Sequence, residues 1–133
     1  MDATLRQRVR DRAGNRCEYC HMRQEHQPVC RFQMEHIIPR QHDGGDDEAN
    51  LALACFHCNL HKGTNLTGMD PESGEVVRLF HPRKDHWGEH FAWRGTELAG
   101  LTAVGRTTVR VLKMNASRRL ELRASVLGWS KLD

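Results

Sequence analysis

Cys17-Glu18-Tyr19-Cys20 and Cys55-Phe56-His57-Cys58 are the two stretches whose reading decides the fold. A Cys-x-x-Cys pair lets two thiolates reach one ion from a tight turn, and two such knuckles complete a tetrahedral site for Zn²⁺. A single pair would also fit a redox motif, but two pairs do not. The fifth cysteine, Cys30, is left over. An odd count, in a chain whose opening residues lack the apolar run of a secretory leader, speaks against a disulfide framework. Cys30 is expected to be a small buried residue rather than a ligand. The chain has use for a staple: 133 residues with 38% hydrophobic and 28% charged side chains supply one thin core. A structural ion contributes folding free energy directly.

The segments around the knuckles follow from periodicity and punctuation. Residues 4–13 predict a short helix, with Leu5 and Val9 on one face and Arg6 and Arg10 on another, closed by Gly14 or Asn15. The first knuckle follows. Residues 29–35 mix β-branched and aromatic side chains and predict a strand, ended by Pro39. Residues 41–49 form a polar loop with Gly44-Gly45 and the acids Asp46, Asp47 and Glu48. Residues 50–62 read as a short strand or turn, the second knuckle and a helix ending at Gly63. The polar residues that chemistry would use sit at the seams. Glu35-His36 closes the strand, Asn50 precedes Leu51, and Asn59 and Lys62 lie three apart on one helical face. An adjacent carboxylate and imidazole can divide hydrolysis, one binding a cation and the other taking a proton from water.

Glu35-His36-Ile37-Ile38-Pro39, then Asn50-Leu51, then Cys55-x-x-Cys58-Asn59-x-x-Lys62 resembles the HNH endonuclease family in its zinc-bearing form. The resemblance covers about a third of the chain. It implies an α+β fold with a small ββα-metal core, a hairpin and a helix clamping one catalytic cation, stapled by a structural Zn²⁺ on Cys17, Cys20, Cys55 and Cys58. It also implies hydrolysis of DNA phosphodiester bonds. Residue by residue, His36 would be the general base. Asn50 would pin the hairpin loop and orient that base, and Asn59 would bind the metal through its side-chain oxygen. Glu35 would be the second metal ligand, and Lys62 and Arg40 would touch phosphate. Glu stands at position 35 where most members carry Asp, and Asn at 59 where many carry His. An oxygen-only ligand set favours Mg²⁺ or Mn²⁺.

The rest of the chain is less telling. It is read as part of one domain over 1–133, with a helix in 1–16, the core in 17–63 and a hairpin plus basic helices in 64–133. Two helices are expected over about 103–114 and 116–127. Residues 101–131 carry Arg106, Arg110, Lys113, Arg118, Arg119, Arg123 and Lys131 against Glu121 alone, a charge balance suited to a duplex backbone. His86-Trp87-Gly88-Glu89-His90 fits the pattern of an inverted zinc protease. That mechanism needs both histidines on one helix. Gly88 costs a helix about 1 kcal/mol, and 75–80 and 91–93 read as extended. His86, Trp87, His90 and Trp93 are expected instead to pack a β-hairpin against the nuclease core. His57 and His61 are expected to be packing or surface residues. No apolar run reaches membrane-spanning length. The expected setting is a cytoplasmic monomer or weak homodimer acting on DNA. The alternative is a zinc-knuckle module that holds nucleic acid without cutting it.

Overall fold

Asp2 starts the first helix by accepting a hydrogen bond from Leu5 N at 2.7 Å, and Gly14, at φ 64°, stops it in the left-handed region. The result is α1 (Ala3–Ala13), which buries Val9. The computed structural model describes residues 1–126, Gly128 and Trp129. These form two compact units. The first comprises 1–65 and 81–84, the second 66–80 and the described residues from 85 onward.

In the first unit, β1 (Gln33–His36) pairs antiparallel with β2 (Leu51–Ala54), with His36 opposite Leu51 and Glu35 opposite Ala52. Strand β2 is buried throughout, as its Leu-Ala-Leu-Ala composition demands. Helix α2 (Phe56–Lys62) follows at once. Arg12 ties α1 to this hairpin, donating to Glu48 O at 2.9 Å and Leu51 O at 2.5 Å. The strand expected over 29–35 is shorter and starts later, because Val29 lies 94% exposed in a turn and has nothing to pack against. Cys30, in the same turn, is exposed rather than buried. The fold class is the expected one: mixed helices and small antiparallel hairpins with four clustered cysteines.

The second unit holds hairpins β3 (Thr67–Met69) with β4 (Val76–Arg78) and β5 (Phe91–Arg94) with β6 (Glu97–Gly100), the turn of helix α3 (Trp87–His90), and helices α4 (Ala103–Val111) and α5 (Ser117–Ala124). Helix α4 lies almost against backbone: a Cβ on Gly105 would fall 2.0 Å from His90 O, so only glycine fits there. Contrary to expectation, much of the basic stretch is structural. Arg106 pairs with Asp70 at 3.0 Å. Arg123 is fully buried, donating to Met114 O at 2.7 Å and Thr96 O at 3.0 Å and lying 5.1 Å from the Trp93 ring. Arg119 is buried too. Lys131 lies outside the described residues.

The His86-x-x-Glu89-His90 motif folds as one helical turn, against the extended reading of its surroundings, while β4 and β5 take the extended flanks. His90 Nδ1 is 2.6 Å from Thr102 Oγ1. Trp87 packs on Phe91 and Trp93 within this unit. Neither histidine belongs to a group of three or more metal-binding side chains among the described residues.

Candidate functional site

The knuckles converge. Ligand atoms of Cys17, Cys20, Cys55 and Cys58 all lie within 4.8 Å of one another, and all four side chains are buried. The Cys20 and Cys55 sulfurs are 3.8 Å apart. Tetrahedral Zn–S bonds of ~2.3 Å put sulfurs about that far apart. Each knuckle closes on itself, with Cys20 N donating to Cys17 Sγ at 3.5 Å and Cys58 N to Cys55 Sγ at 3.4 Å. Burial pushes the Cys17 thiol well up, so the thiolates need a cation to offset their desolvation. The four cysteines can therefore hold a structural Zn²⁺. Glu18 joins the first knuckle to the hairpin: its N donates to Leu53 O at 2.8 Å and its carboxylate accepts from Leu53 N at 2.7 Å. Changing Cys17 and Cys55 together to Ser is expected to abolish both bound zinc and the cooperative thermal transition. A zinc-free preparation with an unaltered transition would contradict this.

Alternation along β1 sorts the polar residues. Gln33 and Glu35 share one face, and His36 lies on the other. Asn59 and Lys62 of α2 meet the first face, with Asn59 Nδ2 donating to Gln33 Oε1. Lys62 Nζ reaches Glu35 Oε1 at 2.7 Å, Ile37 O at 3.0 Å and His36 O at 3.3 Å. Glu35 Oε2 accepts from the Tyr19 hydroxyl at 2.6 Å. Glu35 and Lys62 are only 3% and 2% exposed. Both carboxylate oxygens are thus engaged in the interior, and Glu35 offers a cation no accessible oxygen as placed. Lys62 likewise presents no ammonium to a phosphate, since its charge is used inside the hairpin. Burial pushes Glu35 up from its ordinary value, and Lys62 pulls it back.

His36 turns toward the loop that joins β1 to β2. Its Nε2 lies 2.6 Å from Asp46 Oδ1, and Arg40 holds the same carboxylate at 3.0 and 3.2 Å. Hydrogen bonds from His36 and then Arg40 hold the Asp46 carboxyl below its usual range. An ionised carboxylate only accepts, so the hydrogen-bond network assigns the imidazole hydrogen to Nε2. The basic nitrogen of neutral His36 is then Nδ1. Asn50 staples the loop in place: Oδ1 accepts from Ile38 N at 2.9 Å, and Nδ2 donates to Ile38 O at 3.0 Å and Gly45 O at 2.9 Å. Gly44 permits that closure, because a Cβ there would overlap Ile38 O at 1.6 Å. Asp46 and Gln33 are partners that sequence reasoning missed. Asp46 stood in a run of three acids that carries no periodic signal, and only the closed loop picks one of them. The His57 and His61 rings meet at a tilt of 57° with centroids 4.4 Å apart on α2.

The strand carrying histidine, the loop pinned by asparagine, the return strand and the helix opening on a cysteine knuckle all fall within one matched stretch of sequence. Residues 17–65 match the HNH endonuclease family. The match supports a nuclease-type function in general, and the matched segment coincides with the knuckles, the β1–β2 hairpin and α2. The chain is also similar to the Septu protein PtuB of Bacillus thuringiensis, at 26% identity over 128 residues, covering 91% of this chain. It spans a little under half of that relative, 45% of its length. No solved structure matches. Among the described residues no helix is long and apolar enough to cross a membrane.

Proposed function

We propose that the HNH segment hydrolyses phosphodiester bonds in DNA, with His36 as general base. The observation that carries this reading is the His36–Asp46 hydrogen bond on a hairpin loop fastened by Asn50. Asp46 fixes the tautomer and stabilises the imidazolium that forms, the part a carboxylate plays behind any catalytic histidine. Nδ1 takes a proton from water as the water oxygen bonds to phosphorus. The bond from phosphorus to the leaving oxygen breaks, and that oxygen takes its proton from solvent. Asn50 acts through the loop, holding Asp46 and hence the ring. Arg40 keeps Asp46 ionised and stands at the solvent edge, 69% exposed, where a phosphate can share it.

The family resemblance implies one divalent cation, Mg²⁺ or Mn²⁺, which would screen the phosphate charge and stabilise the leaving oxygen. The half-exposed Asn59 has a carbonyl oxygen to offer, but Glu35 does not complete the pair while Lys62 holds it. That burial is the one feature favouring the alternative, a module that binds nucleic acid without cutting it. Plasmid nicking by the full chain in metal-stripped buffer, with Mg²⁺, Mn²⁺, Ca²⁺ or Zn²⁺ added back, decides between them. Conversion of supercoiled to open-circular DNA is expected with Mg²⁺ or Mn²⁺. No conversion with any ion leaves the binding module standing.

A further inference from the structure

The basic residues of the sequence were expected to meet nucleic acid through the C-terminal helices, at Arg40 and at Lys62. Arg119, Arg123 and Lys62 are instead buried, and Arg106 is paired with Asp70. The unneutralised positive charge of the first unit lies elsewhere, on α1 and the segment leading into β1. Arg6 and Arg10 sit four residues apart on α1, one helical turn, so their side chains lie together. With Arg31 they line a hollow of about 620 Å³, which also takes in Phe32 and Gln33 and has no acidic residue in its lining. Arg10 is anchored, its Nη1 donating to Phe32 O at 2.9 Å. Arg6 and Arg31 are exposed, and neither has an acidic partner among the described residues.

We propose that this arginine-lined hollow between α1 and the start of β1 binds the phosphodiester backbone of DNA and lays it across the hairpin. Three features select a polyanion over a single small ion. A second hollow of about 540 Å³ shares Arg10 and Arg31, so these two guanidinium groups border more than one phosphate's width, while the Arg23 that also lines it is offset by Glu25 at 3.8 Å. Guanidinium groups match phosphate geometry with paired donors. The hollow also runs toward the candidate site: Gln33 lines it and accepts from Asn59 of α2. From Gln33 to His36 is three strand residues, about 10 Å. His36, on the opposite face of β1, therefore lies within one turn of duplex, about 34 Å, of a backbone held at Arg6 and Arg31. Burial first, then Arg31 and Arg6, lowers the Arg10 pKa, and an anion relieves the repulsion among these guanidinium groups.

This inference rests on the nuclease reading for its choice of DNA, and its test keeps the two apart by measuring binding without cleavage. Labelled 20-base-pair duplex DNA is titrated with full-length His36→Ala protein by fluorescence anisotropy at several salt concentrations. Arg6→Gln/Arg31→Gln in that background is expected to weaken binding about tenfold or more. It should also reduce the slope of log K against log salt by about two. Arg6→Lys/Arg31→Lys keeps the charge and is expected to restore the slope. Arg110→Gln/Arg118→Gln removes equal charge from exposed positions on α4 and α5 and is expected to change affinity less than twofold. Circular dichroism melts check that each variant folds. Wild-type affinity and slope in the Gln pair, or a larger loss from Arg110→Gln/Arg118→Gln, overturns the proposal. So does an RNA duplex of the same length whose binding, unlike that of DNA, depends on Arg6 and Arg31. If the Gln pair loses DNA binding but wild type never nicks plasmid, the hollow stands and the nuclease reading falls.

Discussion

His36→Ala is expected to lower the plasmid-nicking rate by ~10²–10⁴-fold while leaving the thermal unfolding transition in place. The ring is 20% exposed and touches the loop through one hydrogen bond to Asp46, so its removal leaves the hairpin register and the Asn50 staple intact. What disappears is the only imidazole that this hairpin holds against a carboxylate among the described residues. Asp46→Ala should give a smaller loss in kcat with little change in DNA affinity, since it acts through the ring and not on substrate. Single-turnover nicking beside anisotropy separates the two effects. Equal rates for His36→Ala and wild type would show that the observed nicking does not come from this site.

Lys62→Met is expected to destabilise the protein by about 3–5 kcal/mol, the usual consequence of stranding one partner of a buried ion pair. Glu35 would keep only the Tyr19 hydroxyl, with no room for water at 3% exposure. The double variant Glu35→Leu/Lys62→Met should recover most of the loss, because the pair's desolvation cost goes with its attraction. The pH response has a definite sign. Burial already raises Glu35 above its unfolded value, and Lys62 opposes that rise. Removing Lys62 raises the folded pKa further, so the native state holds a proton that the unfolded chain has released. Stability of Lys62→Met should then be greatest below the ordinary glutamate pKa and fall as pH rises toward the elevated folded value. Urea melts at pH 5 and pH 8 measure this. Equal stability at both, with no loss relative to wild type, would show that the ion pair is not the keystone its burial indicates.

Local signals were sufficient for several elements. The Cys-x-x-Cys spacing placed four thiols that converge, Gly14 ends α1 where expected, and Gly63 closes α2 where expected. The order of hairpin, knuckle and helix was legible because each is punctuated within a few residues. The partners of charged groups were not. Glu35 next to His36 suggested a shared task, yet a strand sends neighbours to opposite faces, one into the interior and one toward the loop. The arginines of α4 and α5 looked like a binding face, but acceptors at Met114 and Thr96 claim Arg123 and the Asp70 carboxylate claims Arg106. Cys30 looked buried by residue type, and a turn exposes it.

Sequence by itself determined where an ion can be held and which stretches become helix, hairpin and helix, because spacing, caps and strand period act over a handful of residues. Tertiary structure alone decided which charges meet. Lys62 goes to Glu35, Asp46 goes to His36, and Arg6, Arg10 and Arg31 gather around one hollow. The reason is physical: a charge's partner depends on burial and on distances across the fold, and neither is encoded by position along the chain.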